Sequence, residues 1–160
     1  MGALSDEAVK EYCEDLDSRH TVLVGFFCDG VLRGLAEVNV PDSRFPILSE
    51  IAVTVETAWQ DHGVATELLR RALAVARNRS VRGVHVTCVG HNSRIQRIAE
   101  KFGARFQCKD GECEADMAIA APTYASLCEE AIDDGFGWMN LWIDHMVLTT
   151  RRGVDLILRQ

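Results

Sequence analysis

No apolar run in this 160-residue chain reaches the ~20 residues that a membrane-crossing helix needs. Its N-terminus lacks a signal-peptide pattern, so a cytoplasmic protein with no membrane partner is expected. Basic residues are in the minority, with 17 Lys and Arg against 24 Asp and Glu and a formal net charge of −7. A sequence-independent nucleic-acid binder presents a basic surface, so no nucleic-acid partner is expected. Excess acid suits a cationic substrate such as an amine, and it also serves solubility. No repeat, low-complexity tract or interdomain linker is visible. Hydrophobic content of 48% and charged content of 26% are ordinary for one domain that can bury its own core.

Six cysteines (Cys13, Cys28, Cys88, Cys108, Cys113 and Cys128) form no C-x-x-C pair. Without a secretory signal, reduced and mostly buried thiols are expected. Cys108 and Cys113 flank Lys109-Asp110-Gly111-Glu112 and face each other across a predicted hairpin, as a cross-strand thiol pair. The run His85-Val-Thr-Cys88-Val-Gly-His91 has ligand-type residues, but on a strand His85 and Cys88 point to opposite faces. No metal site is expected.

What is present is organised around Ser49 to Arg77. Glu50 to Val55 reads as a strand, crowded with Val, Ile and Thr. A helix follows from near Gly63, with Val64, Leu68, Leu69, Ala72, Leu73 and Ala76 on one stripe. Between them lies Gln60-Asp61-His62-Gly63-Val64-Ala65. A strand feeding a small-residue loop into a helix start gathers free backbone N–H groups at the positive helix end. That is an anion site, and phosphate is the usual anion. The loop lacks the Lys and second Gly of a nucleotide P-loop, and G-x-G-x-x-G is also absent.

The other elements follow in order. Leu4 to Leu16 predicts an acidic helix with Val9, Tyr12, Cys13 and Leu16 on one side. Thr21 to Cys28 and Val31 to Val40 predict strands joined at Asp29-Gly30, with a loop from Pro41 to Pro46. Val84 to Val89 reads as a buried strand and Asn92 to Phe102 as a helix, with Ile95, Ile98, Ala99 and Phe102 inward and Gly103 stopping it. Ala104 to Cys108 and Cys113 to Ile119 form a hairpin around Asp110-Gly111. Pro122 opens a last helix, expected to bend or break at Asp134-Gly135-Phe136-Gly137.

Gln60, Gly63 and Ala65 fill the pattern Gln/Arg-x-x-Gly-x-Gly/Ala, which resembles the acetyl-CoA loop of the GNAT N-acetyltransferase superfamily. Asn92 to Ala104 resembles a second patch of that family, N-x-x-A-x-x-L-Y-x-K-x-G-F, in the right order and spacing. The likeness spans roughly Leu4 to Ala120 and is nearest to the bacterial branch with protein-lysine acyltransferases. It implies an α/β fold, a mixed and mostly antiparallel sheet flanked by helices. Residues 1–120 would be the acetyl-CoA-binding core and 121–160 a helical C-terminal extension packed on the core or on a partner subunit.

The resemblance also implies the chemistry, which is direct transfer of an acetyl group from acetyl-CoA to a primary amine. The amine must lose a proton before it attacks, and Glu50 stands where the family places a general base. Partial burial there would suit it to that task. Glu37 on the neighbouring strand is the reserve. The outgoing edge of the strand, Val53 and Val55, would bind the pantetheine arm as an added strand. Gln60, Asp61, His62, Gly63, Val64, Ala65 and Thr66 would surround the pyrophosphate. Asn92 has two readings, helix N-cap or pantetheine contact.

Three departures stand out. Ala99 occupies the place of the family's Tyr general acid, leaving Ser93, water or a solvated thiolate. Only about twenty residues precede the first predicted strand, too few for the family's first strand and helix. A stripe of Trp138, Leu141, Trp142, His145 and Met146 reads equally as a homodimer surface or as cover for the bare sheet face, where the tail Val154 to Leu158 is a further substitute. Two rivals remain: acetylation of a small amine or antibiotic, to which the acids Glu129-Glu130 and Asp133-Asp134 are suited as to lysine, and a non-catalytic acyl-CoA-binding domain.

Overall fold

The structure, a computed structural model, describes residues 7, 10, 14, 21–41, 48–89 and 92–137. The rest of the N-terminal helix, the loop beyond Pro41, His91, the Trp138–Met146 stripe and the tail lie outside the described residues. Strands β1 (Thr21–Cys28) and β2 (Val31–Asn39) form an antiparallel hairpin. Asp29 and Gly30 take φ of 52° and 71°, so both turn residues are left-handed, which suits the strand twist.

Strand β3 (Leu48–Val55) pairs antiparallel with β2 and parallel with β4 (Gly83–Val89). The parallel step needs a crossover, and helix α1 (Val64–Asn78) supplies it. Strand β6 (Glu112–Ala118) is antiparallel to β4 and to the short β5 (Gln107–Lys109). The strand order is β1-β2-β3-β4-β6-β5, so the sheet is mixed and mostly antiparallel as expected.

Alternation along the strands puts the core on one face. Ala36 and Val38, Ile51, Val84 and Val86, Ala115 and Met117 are buried there under α1. From α1 come Val64, Leu68, Leu69, Ala72, Val75 and Ala76, so Val75 joins the expected stripe and Leu73 is only partly buried. Burying one such Leu contributes about 1.5–3 kcal/mol. Gly34 is buried on β2, where a Cβ would come within 3.0 Å of Leu68 Cδ1 and 3.3 Å of Val64 Cγ1. That small residue lets the N-terminal end of α1 settle close to the sheet.

Helix α2 (Ser93–Lys101) adds the fully buried Ala99 to the same core. It ends in a Schellman motif: Gly103 at φ 96° donates to Glu100 O and Ala104 donates to Ala99 O. A third helix, α3, covers residues 124–137. Thr123, not Pro122, caps it. The Thr123 N–H donates to Ser126 Oγ at 2.9 Å and the Ser126 N–H to Thr123 Oγ1 at 3.1 Å, a reciprocal pair that a proline ring cannot make. No break occurs at Asp134-Gly135-Phe136-Gly137 within the described residues, since the helix continues to 137. A glycine in a helix costs only ~1 kcal/mol, too little to end one already anchored upstream.

The thiols also differ from expectation. Cys108 and Cys113 are joined as a disulfide, because β5–β6 register sets them directly opposite at a Cα–Cα distance of 4.0 Å. Cys28 and Cys128 are free, and Cys128 is exposed.

Candidate active site

The site begins at the start of β3. Ser49 is buried and its hydroxyl donates to Asn39 O at 2.6 Å, which pins β3 against β2. Alternation then turns the next residue, Glu50, to the face away from α1. Glu50 is exposed there, not partly buried as expected, because among the described residues the helices pack on the opposite face of the sheet. Its cross-strand neighbours are Asn39 on β2 and His85 on β4. An open cavity of about 460 Å³ is lined by Asn39, Pro41, Leu48, Ser49, Glu50 and His85.

The β3–β4 ladder is short. It runs through Leu48–Gly83, Ser49–Val84 and Glu50–His85, yet β3 continues to Val55 and β4 to Val89. The two strands therefore part at Glu50. Past that point β3 keeps its β2 partners, with Val53 opposite Ala36 and Val55 opposite Gly34. Its other edge has no ladder partner among the described residues. The wedge that opens has main-chain polar groups along one wall and Glu50 and His85 at its apex.

Beyond Val55 a single turn, Thr57–Trp59, leads into the loop. Gln60 braces it: Nε2 donates to Val55 O at 3.1 Å, and Oε1 accepts from Arg94 Nη1 at 2.9 Å. Asp61 and Gly63 both have positive φ, 63° and 83°. His62 is exposed, as expected, with Nδ1 2.6 Å from Gln60 O. Gly63 is the cap residue of α1 and brings no capping side chain. The first-turn N–H groups of Val64, Ala65 and Thr66 are thus left by helix geometry to face outward. A Cβ at Gly63 would meet no atom within 4 Å.

Electrostatics favour an anion at this loop. Arg94 stands over it, with Nη2 3.1 Å from Asp61 Oδ2, so the one carboxylate in the loop is offset. Glu67, in the first turn of α1, faces Arg70 and Arg71. The Arg70 hydrogen bond, helped by Arg71, holds its carboxyl below the usual range despite partial burial. Uncapped donors, a cation and open space beside a glycine fit a diphosphate group.

The family model for the acetyltransferase (GNAT) family matches residues 2–104. The chain belongs to that family. No curated protein matches significantly. Among solved structures, the GNAT domain of PAT from S. lividans is 22% identical, with a TM-score of 0.62 over 72% of this chain and 70% of that one. The yncA protein of Salmonella typhimurium, solved with its cofactor acetyl-CoA, is 18% identical with a TM-score of 0.61, covering 77% and 80% of the two chains. PaiA N-acetyltransferase from Thermoplasma acidophilum, in complex with coenzyme A, is 14% identical with a TM-score of 0.59, covering 72% of each.

In this GNAT chain the family's second patch lies beside the loop, since Arg94 at the head of α2 reaches Gln60 and Asp61. Asn92 caps α2, accepting from the Ile95 N–H at 3.4 Å. Ala99 is fully buried and carries no polar group. Glu37 lies on the same face as Glu50 and opposite Ala52 on β3. Reading the sequence missed two features here. Arg94 was legible as a cation two places after Asn92. The His85–Asp116 pair, with Nδ1 2.7 Å from Asp116 Oδ1, was not legible, because only β4–β6 register makes them neighbours. Of the acids suited to a cation, Glu129, Glu130 and Asp133 pair with Arg77, Arg79 and Arg70, while Glu129 and Asp134 stay exposed.

Proposed function

We propose that this chain transfers an acetyl group from acetyl-CoA to a primary amine by direct attack, with Glu50 as general base. The observation that carries this reading is the parting of β3 and β4 at Glu50, one strand length from an uncapped, Gly63-led helix start. Acetyl-CoA supplies the activated acyl group as a thioester. Backbone donors from Asp61 to Thr66, with Gln60 and Arg94 holding the loop, would take the diphosphate. The free edge at Val53 and Val55 would take the pantetheine amides as an added strand. The Asn92 amide N–H₂ is left to donate to that arm, since its cap uses only Oδ1.

Glu50 faces the open side of the sheet, where an acceptor amine can reach it directly or through one water. Glu50→Gln is expected to lower kcat about 10²- to 10⁴-fold and leave acetyl-CoA-induced thermal stabilisation unchanged. Wild-type turnover in that variant would sink the assignment. Lysine peptides assayed beside a panel of small amines separate a protein acceptor from a small one. A binding-only role draws support from the buried Ala99 where the family has a Tyr. Stabilisation by acetyl-CoA with no transfer to any amine would favour it.

A further inference from the structure

We propose that His85, oriented by Asp116, is a second proton acceptor in this site, working beside Glu50. The inference rests on the acetyl-transfer reading above. His85 is the register partner of Glu50 in the last β3–β4 pair before the strands part, and both line the same cavity. Its Nδ1 lies 2.7 Å from Asp116 Oδ1. A carboxylate only accepts, so in the neutral ring the hydrogen sits on Nδ1 and donates to Asp116. Nε2, on the far side of the ring, is left with its lone pair. A neutral imidazole fixed by a carboxylate in one tautomer is arranged to accept a proton.

The proton count calls for such a group. An ammonium acceptor sheds one proton to become a nucleophile and a second as the C–N bond forms, and a single carboxylate holds only one. His85 Nε2 takes one of these protons and Glu50 the other. The C–S electron pair leaves with sulfur as a thiolate, a tolerable leaving group near neutral pH. Both protons pass to water, the thiolate takes one back, and one is released overall. Ala99 needs no tyrosine substitute in this scheme.

Among the described residues, the charged groups facing His85 are Glu50 from β3 and Asp116 from β6, with Glu114 diagonal to it on β6 and Glu37 farther away on β2. Its own strand adds Thr87 on that face and no charge.

Three measurements on the full chain test this. First, imidazole nitrogen NMR of the apo protein should show His85 protonated at Nδ1, and Asp116→Asn should mix the tautomers. Second, log(kcat/KM) should level off with rising pH in wild type, but in His85→Gln it should go on rising toward the acceptor amine's own ionisation, because the amine must then lose its first proton to bulk water. Third, His85→Gln should lose about 10²-fold or more in kcat/KM while keeping CoA-induced thermal stabilisation, which shows an intact fold and cofactor site. Asp116→Asn, at a positioning residue, should lose less and still level off. An Nε2-protonated tautomer, or an active His85→Gln enzyme with wild-type rate and pH profile, overturns this proposal alone. A wild-type protein that acetylates no amine overturns the acetyl-transfer reading with it.

Discussion

At Gly63 the backbone sits at φ 83°, where an L side chain crowds its own carbonyl. That alone asks for glycine, whether or not anything binds. The proposed diphosphate site adds a second reason, because a Cβ there would touch no protein atom and would occupy open space beside the loop. Gly103 separates the two reasons. It has φ 96°, is equally open to a Cβ, and lies at the opposite, C-terminal end of α2 from Arg94. Gly63→Ala and Gly103→Ala should each lose about 1–2 kcal/mol in denaturant unfolding. Only Gly63→Ala should also weaken the thermal stabilisation given by acetyl-CoA. Equal CoA responses in the two variants would reduce Gly63 to a helix-entry residue.

The elements are set by their ends as much as by their stripes. Helix α1 closes with Ser80 at φ 62°, where Ser80 donates to Arg77 O and Val81 to Ala76 O. This is the same 6→1 and 5→2 pattern that Gly103 makes for α2, with a side chain in the place glycine prefers. The buried Val81 supplies the apolar contact that usually accompanies it. Ser80→Gly should therefore stabilise by about 0.5–1 kcal/mol, the αL relief less the added chain entropy. For a chain of this size that is a rise of roughly 1–4 °C in Tm. A lower Tm would show that the Ser80 side chain has a role in the native state.

Across the whole molecule, charge ties α3 to the core. Arg70 bridges Glu67 on its own helix and Asp133 on α3, at 2.8 Å and 2.7 Å, and those two hydrogen bonds hold its guanidinium well above its ordinary range. Arg79 with Glu130, and Asn78 with Ser126 and Glu130, extend the seam. Glu67 is lowered in the folded state, so its contribution is present above the unfolded carboxyl value of 4.5 and fades as pH falls through the lowered one. Glu67→Gln should therefore cost stability at pH 7, and the gap from wild type should narrow in thermal melts as pH falls below 4.5. A gap independent of pH would mean that packing, and not charge, is what the variant loses.

The hairpin at Asp29-Gly30, the α1 stripe, the Gly103 stop and the Gln60–Ala65 loop are all local, written in spacings of two to four residues and in residues that favour left-handed backbone. The sequence by itself determined these, and with them the family. Three things depended on chains meeting from far apart. Where β3 and β4 stop pairing is a property of register, so the wedge at Glu50 has no signature along the strand. Asp116 lies 31 residues from His85, and only their opposition across β4 and β6 makes a proton-holding pair of two unremarkable surface residues. The arginine partners of the acids at 129, 130 and 133 lie about fifty to sixty residues away, and only the packing of α3 on α1 sets them side by side. Local preference is carried by neighbours in sequence, whereas the partner of a charge is chosen by the fold.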